Sequence, residues 1–317
     1  MSEDGDQDDL ITEEMLWDRI PEVEGAERAS TYYELSARIY ARGQYDEALA
    51  LAETACDIYS GLGASAPSEG LAQAYSAIGY NLNQLKRMDE AATAMSKAVE
   101  ILRQNKSPIA LELACTLGEW WYSSKSYEKV IETMEECAQE HLVDGNEIGA
   151  ANDLHLIGCA YRDLKKYEEA VASFQEARGL YKKNKEVIHV ARCDQKIASC
   201  LVELDRGEEA LTAARKALDV FETAHDHLRE TFALFEYGKA QILLGKLEEG
   251  LDSLDQVLQI ATDEDPKDFE FIVDIEGRMS VVMRRLGRID EANEVDRRLL
   301  SVREAMSESS SSEEERA

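Results

Sequence analysis

The chain is short of proline, of clustered positive charge and of long apolar runs, and each shortage excludes a class of protein. Only four prolines occur in 317 residues: Pro21, Pro67, Pro108 and Pro266. All fall between or outside the periodic segments described below, so the helical stretches run uninterrupted. Alternating runs of Val, Ile and Thr that would mark strands are missing. No apolar run approaches the roughly 20 residues that a membrane span requires. The acidic N-terminus lacks the basic segment that opens a secretory signal. Acidic side chains outnumber basic ones by 65 to 35, for a formal charge of −30. Such a surface is soluble and self-repelling. It argues against nucleic acid and anionic membranes, whose phosphates are met by clustered Lys and Arg.

Sites for chemistry are equally scarce. The six cysteines form no CxxC pair and sit inside helical periods, where a free thiol behaves as a small apolar side chain. The usage fits a reduced, cytoplasmic chain and gives no zinc spacing. His225 and His227 make an HxH pair in an expected loop, where polarity between helices accounts for them. No GxSxG, HExxH or glycine-rich phosphate loop occurs. His155, Cys159 and Asp163 follow one another at single helical turns. A nucleophile needs an oxyanion site, however, and the middle of a helix presents no free backbone N–H. The expectation is a protein that is not an enzyme and carries no cofactor and no metal.

What the chain does have is a repeated phrase. It reads GQYDEALALAETA up to Ala55 and returns six times, the last as GRIDEANEVDRRL up to Leu299. The small or apolar anchor after the acidic pair falls at Ala48, Ala91, Val130, Ala170, Ala210, Gly250 and Ala292, at steps of 39 to 43 residues. A fixed period in this range marks stacked supersecondary units. The fourth unit divides into two helices. Leu154, Ile157, Gly158, Tyr161 and Leu164 recur at three and four in the first, and Tyr167, Ala170, Val171, Phe174, Ala177 and Leu180 in the second. A turn through Leu164, Lys165 and Lys166 makes them antiparallel neighbours. Gly158 and Ala170 are small where the helices cross, which permits a close approach of the axes. The predicted fold class is all-α: an α-α superhelix of about seven antiparallel hairpins.

This constellation resembles the tetratricopeptide repeat family. Leu154, Ile157, Gly158, Tyr161, Ala170, Phe174 and Ala177 carry its pattern. Tyr75, Ile78, Gly79, Leu82, Ala91, Met95 and Ala98 carry it in the second repeat, and Leu117, Gly118, Trp121, Val130, Met134 and Cys137 in the third. Family repeats commonly run to about 34 residues. The longer ones here look more similar to kinesin light chain, the Leu-Gly-Asn repeat adaptors and the Rap-type regulators, and the additional residues should lengthen helices or links. Ser36, Ala198 and Ser280 replace the glycine in the first, fifth and seventh repeats. Gly250 replaces the alanine in the sixth, which should soften that hairpin. Asp296 stands where a core residue is expected, as suits a water-facing helix.

The expected organisation is an acidic N-terminal segment over 1–28, a superhelix over 29–304 and a disordered acidic Ser/Glu tail over 305–317. Residues 9–20 form a short amphipathic helix with Leu10, Met15, Leu16, Trp17 and Ile20. It is expected to cap the first repeat; a place in the chain's own groove and disorder are the alternatives. Ser309–Ser312 before Glu313–Glu315 suits an acid-directed kinase or a plain solubilising tail.

The resemblance implies that the first helix of each hairpin lines the binding face. Its candidate ligand residues are Tyr122, Asn152, His155, Arg162, Arg192, Gln195, Lys196, Phe232, Phe235, Lys239, Arg278, Arg284 and Arg285. The cations among them run against the charge of the whole chain, and cations lining a concavity draw anions. Arg192 and Lys196, one turn apart, resemble half of the carboxylate clamp of chaperone-binding tetratricopeptide domains. The Lys-Asn half is missing, so chaperone tails are not expected. The expected partner is a protein or peptide, acidic or carboxylate-bearing, with Tyr122, Phe232 and Phe235 supplying apolar contact. Pairing of these cations with acids such as Glu203 and Glu236 is the competing expectation. The expected function is a scaffold or adaptor; a Rap-like regulator that releases a partner on binding peptide is the second reading. Residues 1–28 are too short and too acidic for the DNA-reading domain such regulators often carry.

Overall fold

The computed structural model describes residues 12–263 and 268–300; the expectations for residues 1–11 of the acidic start and for the Ser/Glu tail lie outside the described residues. Every element there is helical. The chain falls into two compact units that divide between Asp144 and Gly145.

The first unit begins with a short helix, α1 (Glu13–Arg19). Three hairpins follow: α2 (Gly25–Ala41) with α3 (Tyr45–Gly61), α4 (Ser68–Gln84) with α5 (Met88–Gln104), and α6 (Ile109–Ser123) with α7 (Tyr127–Val143). Thr12 caps α1 by accepting from the Met15 N–H at 3.2 Å. Leu16 and Ile20 bury themselves beside Leu35, Ile39, Ala48 and Leu51, so α1 closes the apolar end of the first hairpin. Two ion pairs, Arg42 with Glu13 at 2.9 Å and Arg19 with Glu27 at 2.6 Å, hold it there. Met15 and Trp17, grouped with the apolar face in the sequence, are instead exposed. Met15, Leu16 and Trp17 are consecutive, so they point about 100° apart around the helix and one stripe cannot hide all three.

The second unit contains α8 (Glu147–Asp163) with α9 (Tyr167–Lys183), α10 (Val187–Glu203) with α11 (Gly207–Ala224), α12 (His227–Leu243) with α13 (Leu247–Asp263), and α14 (Phe269–Arg285) with α15 over 289–300. Each hairpin packs on the next through α9 against α10, α11 against α12 and α13 against α14. The repeat length is explained here. Seventeen-residue helices joined by three-residue links account for the forty-residue period. The residues beyond the family norm went into the helices.

The links share one device. Lys86, Lys125, Lys165 and Asp205 take left-handed backbone with φ of 59° to 64°, and Gly43, Gly245 and Gly287 do so at 77° to 78°. In the fourth repeat the Lys165 and Lys166 N–H groups donate back to the Arg162 and Tyr161 carbonyls at 2.8 Å. This closes the last turn of α8 and reverses the chain. Lysine in this backbone bears a steric cost that glycine escapes.

The crossing points follow the sequence closely. A Cβ on Gly158 would stand 2.7 Å from the Phe174 ring, and one on Gly79 would stand 3.2 Å from the Ala91 carbonyl. Ser36 serves instead of glycine by donating its hydroxyl to the Ala48 carbonyl at 2.7 Å. Gly250 differs from expectation. A Cβ there would lie 3.0 Å from the Gly238 carbonyl, and one on Gly238 would meet Ser253 at 3.0 Å. The pair of glycines lets two backbones meet where a methyl group has no room, which is a packing role. Asp296 is satisfied by the Ser280 hydroxyl at 2.6 Å and by Arg284.

Candidate functional site

Within the second unit, the first helices α10, α12 and α14 line a cavity of about 630 Å³. Its walls are largely apolar, from Val202, Ile242, Leu243, Val273 and Val281, with Lys239, Arg278 and Arg285 supplying cations and Glu270 and Asp274 supplying acids. Gly277 belongs to the lining, and a Cβ there would meet nothing within 4 Å. Val202, Val273 and Val281 were missed because each sits beside the stripe that packs the core.

The cations sort into two groups. In the first, each has an acid. Arg162 pairs with Asp163 at 2.7 Å, Arg278 with Asp274 at 2.9 Å, and Arg284 with Asp296 on the facing helix of its own hairpin. Lys239 pairs with Glu236 at 2.7 Å, both 7% exposed at the side chain. The competing expectation of acid pairing is thus met for these, with Glu236 as one of the acids anticipated. Arg284 turns toward Asn293 and Asp296, away from the α10–α12–α14 cavity. In the second group, Arg192, Lys196 and Arg285 have no carboxylate within ion-pair range among the described residues.

The aromatic expectations divide as well. Phe235 is buried, packed on Phe271 at 5.1 Å and faced by the Lys239 ammonium at 4.8 Å and the Arg278 guanidinium at 5.6 Å. It orients cations and offers no open surface. Phe232 is 36% exposed and remains open to a partner. Tyr122 lies half-buried in the first unit, edge-on to Tyr127 at 5.6 Å. Asn152 accepts from the Tyr181 hydroxyl at 2.6 Å, which ties it to α9.

His155, Arg162, Arg192 and Lys196 form one electrostatic cluster on α8 and α10, with Gln195 half-buried beside them. Burial, and then the Arg192, Lys196 and Arg162 cations, hold the His155 imidazole down at about 3. It is neutral at physiological pH, and its Nε2 finds no partner among the described residues. Burial, and then Arg162, pull the Lys196 ammonium below its usual value. Two positive charges one turn apart, neither in an ion pair and only Lys196 feeling the more distant Glu236, form a site that an anion would relieve. The same burial pushes the Cys159 thiol up, 3.9 Å from the His155 Nδ1. That is the reverse of what an activated nucleophile needs.

Comparison with known proteins is consistent with this architecture. Tetratricopeptide repeat models match residues 28–60, 72–105 and 154–184. The protein KINESIN LIGHT CHAIN-RELATED 1 of Arabidopsis thaliana is 25% identical over 278 residues, which cover 83% of this chain and 44% of the relative. The chain thus spans under half the length of that relative. The solved structure of BtubC (BKLC) from P. vanneervenii superposes with a TM-score of 0.59 at 16% identity, over 69% of this chain and 92% of the other. The Rap conjugation gene regulator of plasmid pLS20, solved with the Phr* peptide, gives 0.51 at 14% identity, over 88% and 74%. The matched models, the forty-residue hairpins and the small residues at their crossings lead to one conclusion: the chain contains tetratricopeptide repeats, three of them matched by family models, within a fold similar to that of the solved tetratricopeptide-repeat structures.

Proposed function

We propose that the chain is a protein-interaction scaffold whose second unit holds an acidic or carboxylate-bearing segment of a partner against Arg192 and Lys196. One observation carries this reading: in a chain of net charge −30, these two neighbouring cations make no ion pair with any acid among the described residues, Glu236 acting on Lys196 only from beyond that range. Arg offers a planar fork for a carboxylate, and an anion would offset the burial and the neighbouring Arg162 charge that pull the Lys196 ammonium below its usual value. The apolar cavity begins on the same helix. Lys196 and Val202 are six residues apart, about 9 Å along α10 at 1.5 Å per residue. An extended segment covers that distance in about three residues. The segment therefore carries an acid and, about three residues away, a bulky apolar side chain. Nucleic acid and membrane surfaces remain disfavoured by the charge.

Panning a displayed library of random dodecapeptides against the chain tests this. Sequences selected by the wild type are expected to be enriched in Asp or Glu three or four residues from Leu, Ile or Phe. The Arg192→Glu/Lys196→Glu double variant is expected to lose that selection. Equal acid content before and after selection, or the same peptides from both proteins, would refute the proposal. The Rap regulator with its peptide motivates a second mode of the same site, in which the ligand changes the spacing of the hairpins. Small-angle scattering with a selected peptide separates the two: compaction marks a sensor, unchanged dimensions a fixed adaptor.

A further inference from the structure

The first unit contains a separate, uncharged cavity of about 320 Å³ between α2 and α4. Tyr33, Tyr40, Tyr80, Ser76 and Asn81 line it, and no carboxylate, amine, guanidinium or imidazole does. Asn81 is 1% exposed. Its amide orientation is fixed, because Nδ2 must be the atom that donates to the Ala77 carbonyl at 2.8 Å. The other amide atom, Oδ1, is therefore a buried acceptor, and it has no partner among the described residues. An acceptor left in that condition costs more than the hydrogen bond it would make. Ser36 and Ser76 spend their hydroxyls on the Ala48 and Gln73 carbonyls and do not relieve it. Tyr40 accepts from Gln84 Nε2 at 3.1 Å and keeps its own O–H to donate.

We infer that this cavity is a binding site for a neutral, flat ring bearing one hydrogen-bond donor, with a phenol as the fitting chemistry. The donor meets Asn81 Oδ1, the phenol oxygen accepts from a tyrosine hydroxyl, and the ring lies among the tyrosine rings. A carboxylate or an ammonium is excluded, since nothing in the lining would neutralise it. The site is independent of the cation cluster in the second unit, so either can fail alone.

Saturation-transfer NMR on the full chain with p-cresol and 4-methylanisole provides the test, because methylation removes the donor and keeps the ring, its para methyl group and the oxygen acceptor. The wild type is expected to bind p-cresol about tenfold more tightly than the ether, the discrimination of one hydrogen bond. Asn81→Leu is expected to erase the preference. Ala77→Leu, which leaves Asn81 in place and fills the cavity, is expected to abolish binding of both. N-acetyltyrosinamide distinguishes the source: tighter binding than p-cresol indicates a partner's side chain, weaker binding a free phenol, and both support the site. No p-cresol binding at millimolar concentration would mean that water alone satisfies Asn81 and would overturn the inference. A preference that survives in Asn81→Leu would do the same.

Discussion

Acid should destabilise this chain through His155 by an amount that can be worked out beforehand. The imidazole titrates at 6.5 when free and at about 3 in the fold. Between those values the unfolded chain takes up a proton that the folded chain refuses. The contribution of neutral His155 is therefore complete above about pH 6.5 and is lost as pH falls toward 3. At pH 4.5 the gap is about two units, each worth about 1.36 kcal/mol, so about 2.7 kcal/mol is lost relative to neutral solution. Urea unfolding followed by far-ultraviolet circular dichroism at pH 7.5 and 4.5, on the wild type and His155→Leu, reads this directly. Carboxylate protonation and the change in net charge act on both proteins, so the difference between their acid losses isolates the histidine. Because stacked hairpins open in sections, hydrogen exchange of the α8 and α10 amides reports the same difference locally. Arg192→Gln, which removes the strongest of the cations acting on His155, should shrink the acid loss. Acid losses that agree within about 0.5 kcal/mol, the usual scatter of neutral substitutions, would refute the reasoning.

Two further predictions concern the backbone. Lys165→Gly should raise stability by up to about 1 kcal/mol, because glycine removes the steric cost of left-handed backbone and gives back part of the gain as unfolded-chain entropy; thermal unfolding checks it. Gly158→Ala should destabilise by roughly 1–3 kcal/mol, since overpacking against Phe174 exceeds the gain in helix propensity. Gly277→Ala, with open space at its Cβ, should instead be neutral or stabilising by up to about 1 kcal/mol in the same measurement.

The hairpins were legible because their determinants are local. The three-and-four spacing of Ile157, Tyr161, Val171 and Phe174 defines two helices, and Gly158 opposite Ala170 defines where they touch. Even the turn through Lys165 is visible as a break in that spacing. The site was legible only where its determinants lie on one helix. Arg192 and Lys196 are a turn apart and can be paired by counting, and Glu236 three residues before Lys239 foretells its neutralisation. Arg284 was misplaced because its acid sits on the next helix at Asp296, and the register between two helices is not written in the period of either. Phe235 was misplaced for the same reason, since Phe271 belongs to the following hairpin. Asn81 carries its own clue, an amide among the apolar positions Ile78, Gly79 and Leu82. Nothing in the sequence says that its oxygen lacks a donor.

The left-handed link residues bear on how such a chain changes length. Lys165, Asp205 and Gly245 stand forty residues apart in matching backbone conformation, each between helices of seventeen or eighteen residues. A deletion or duplication bounded by two of them rejoins the chain at equivalent points, with the next helix entering at the angle of the one it replaced. Gain or loss of whole modules by unequal recombination is therefore conformationally almost silent at the joint. Its cost is confined to the two surfaces newly brought face to face.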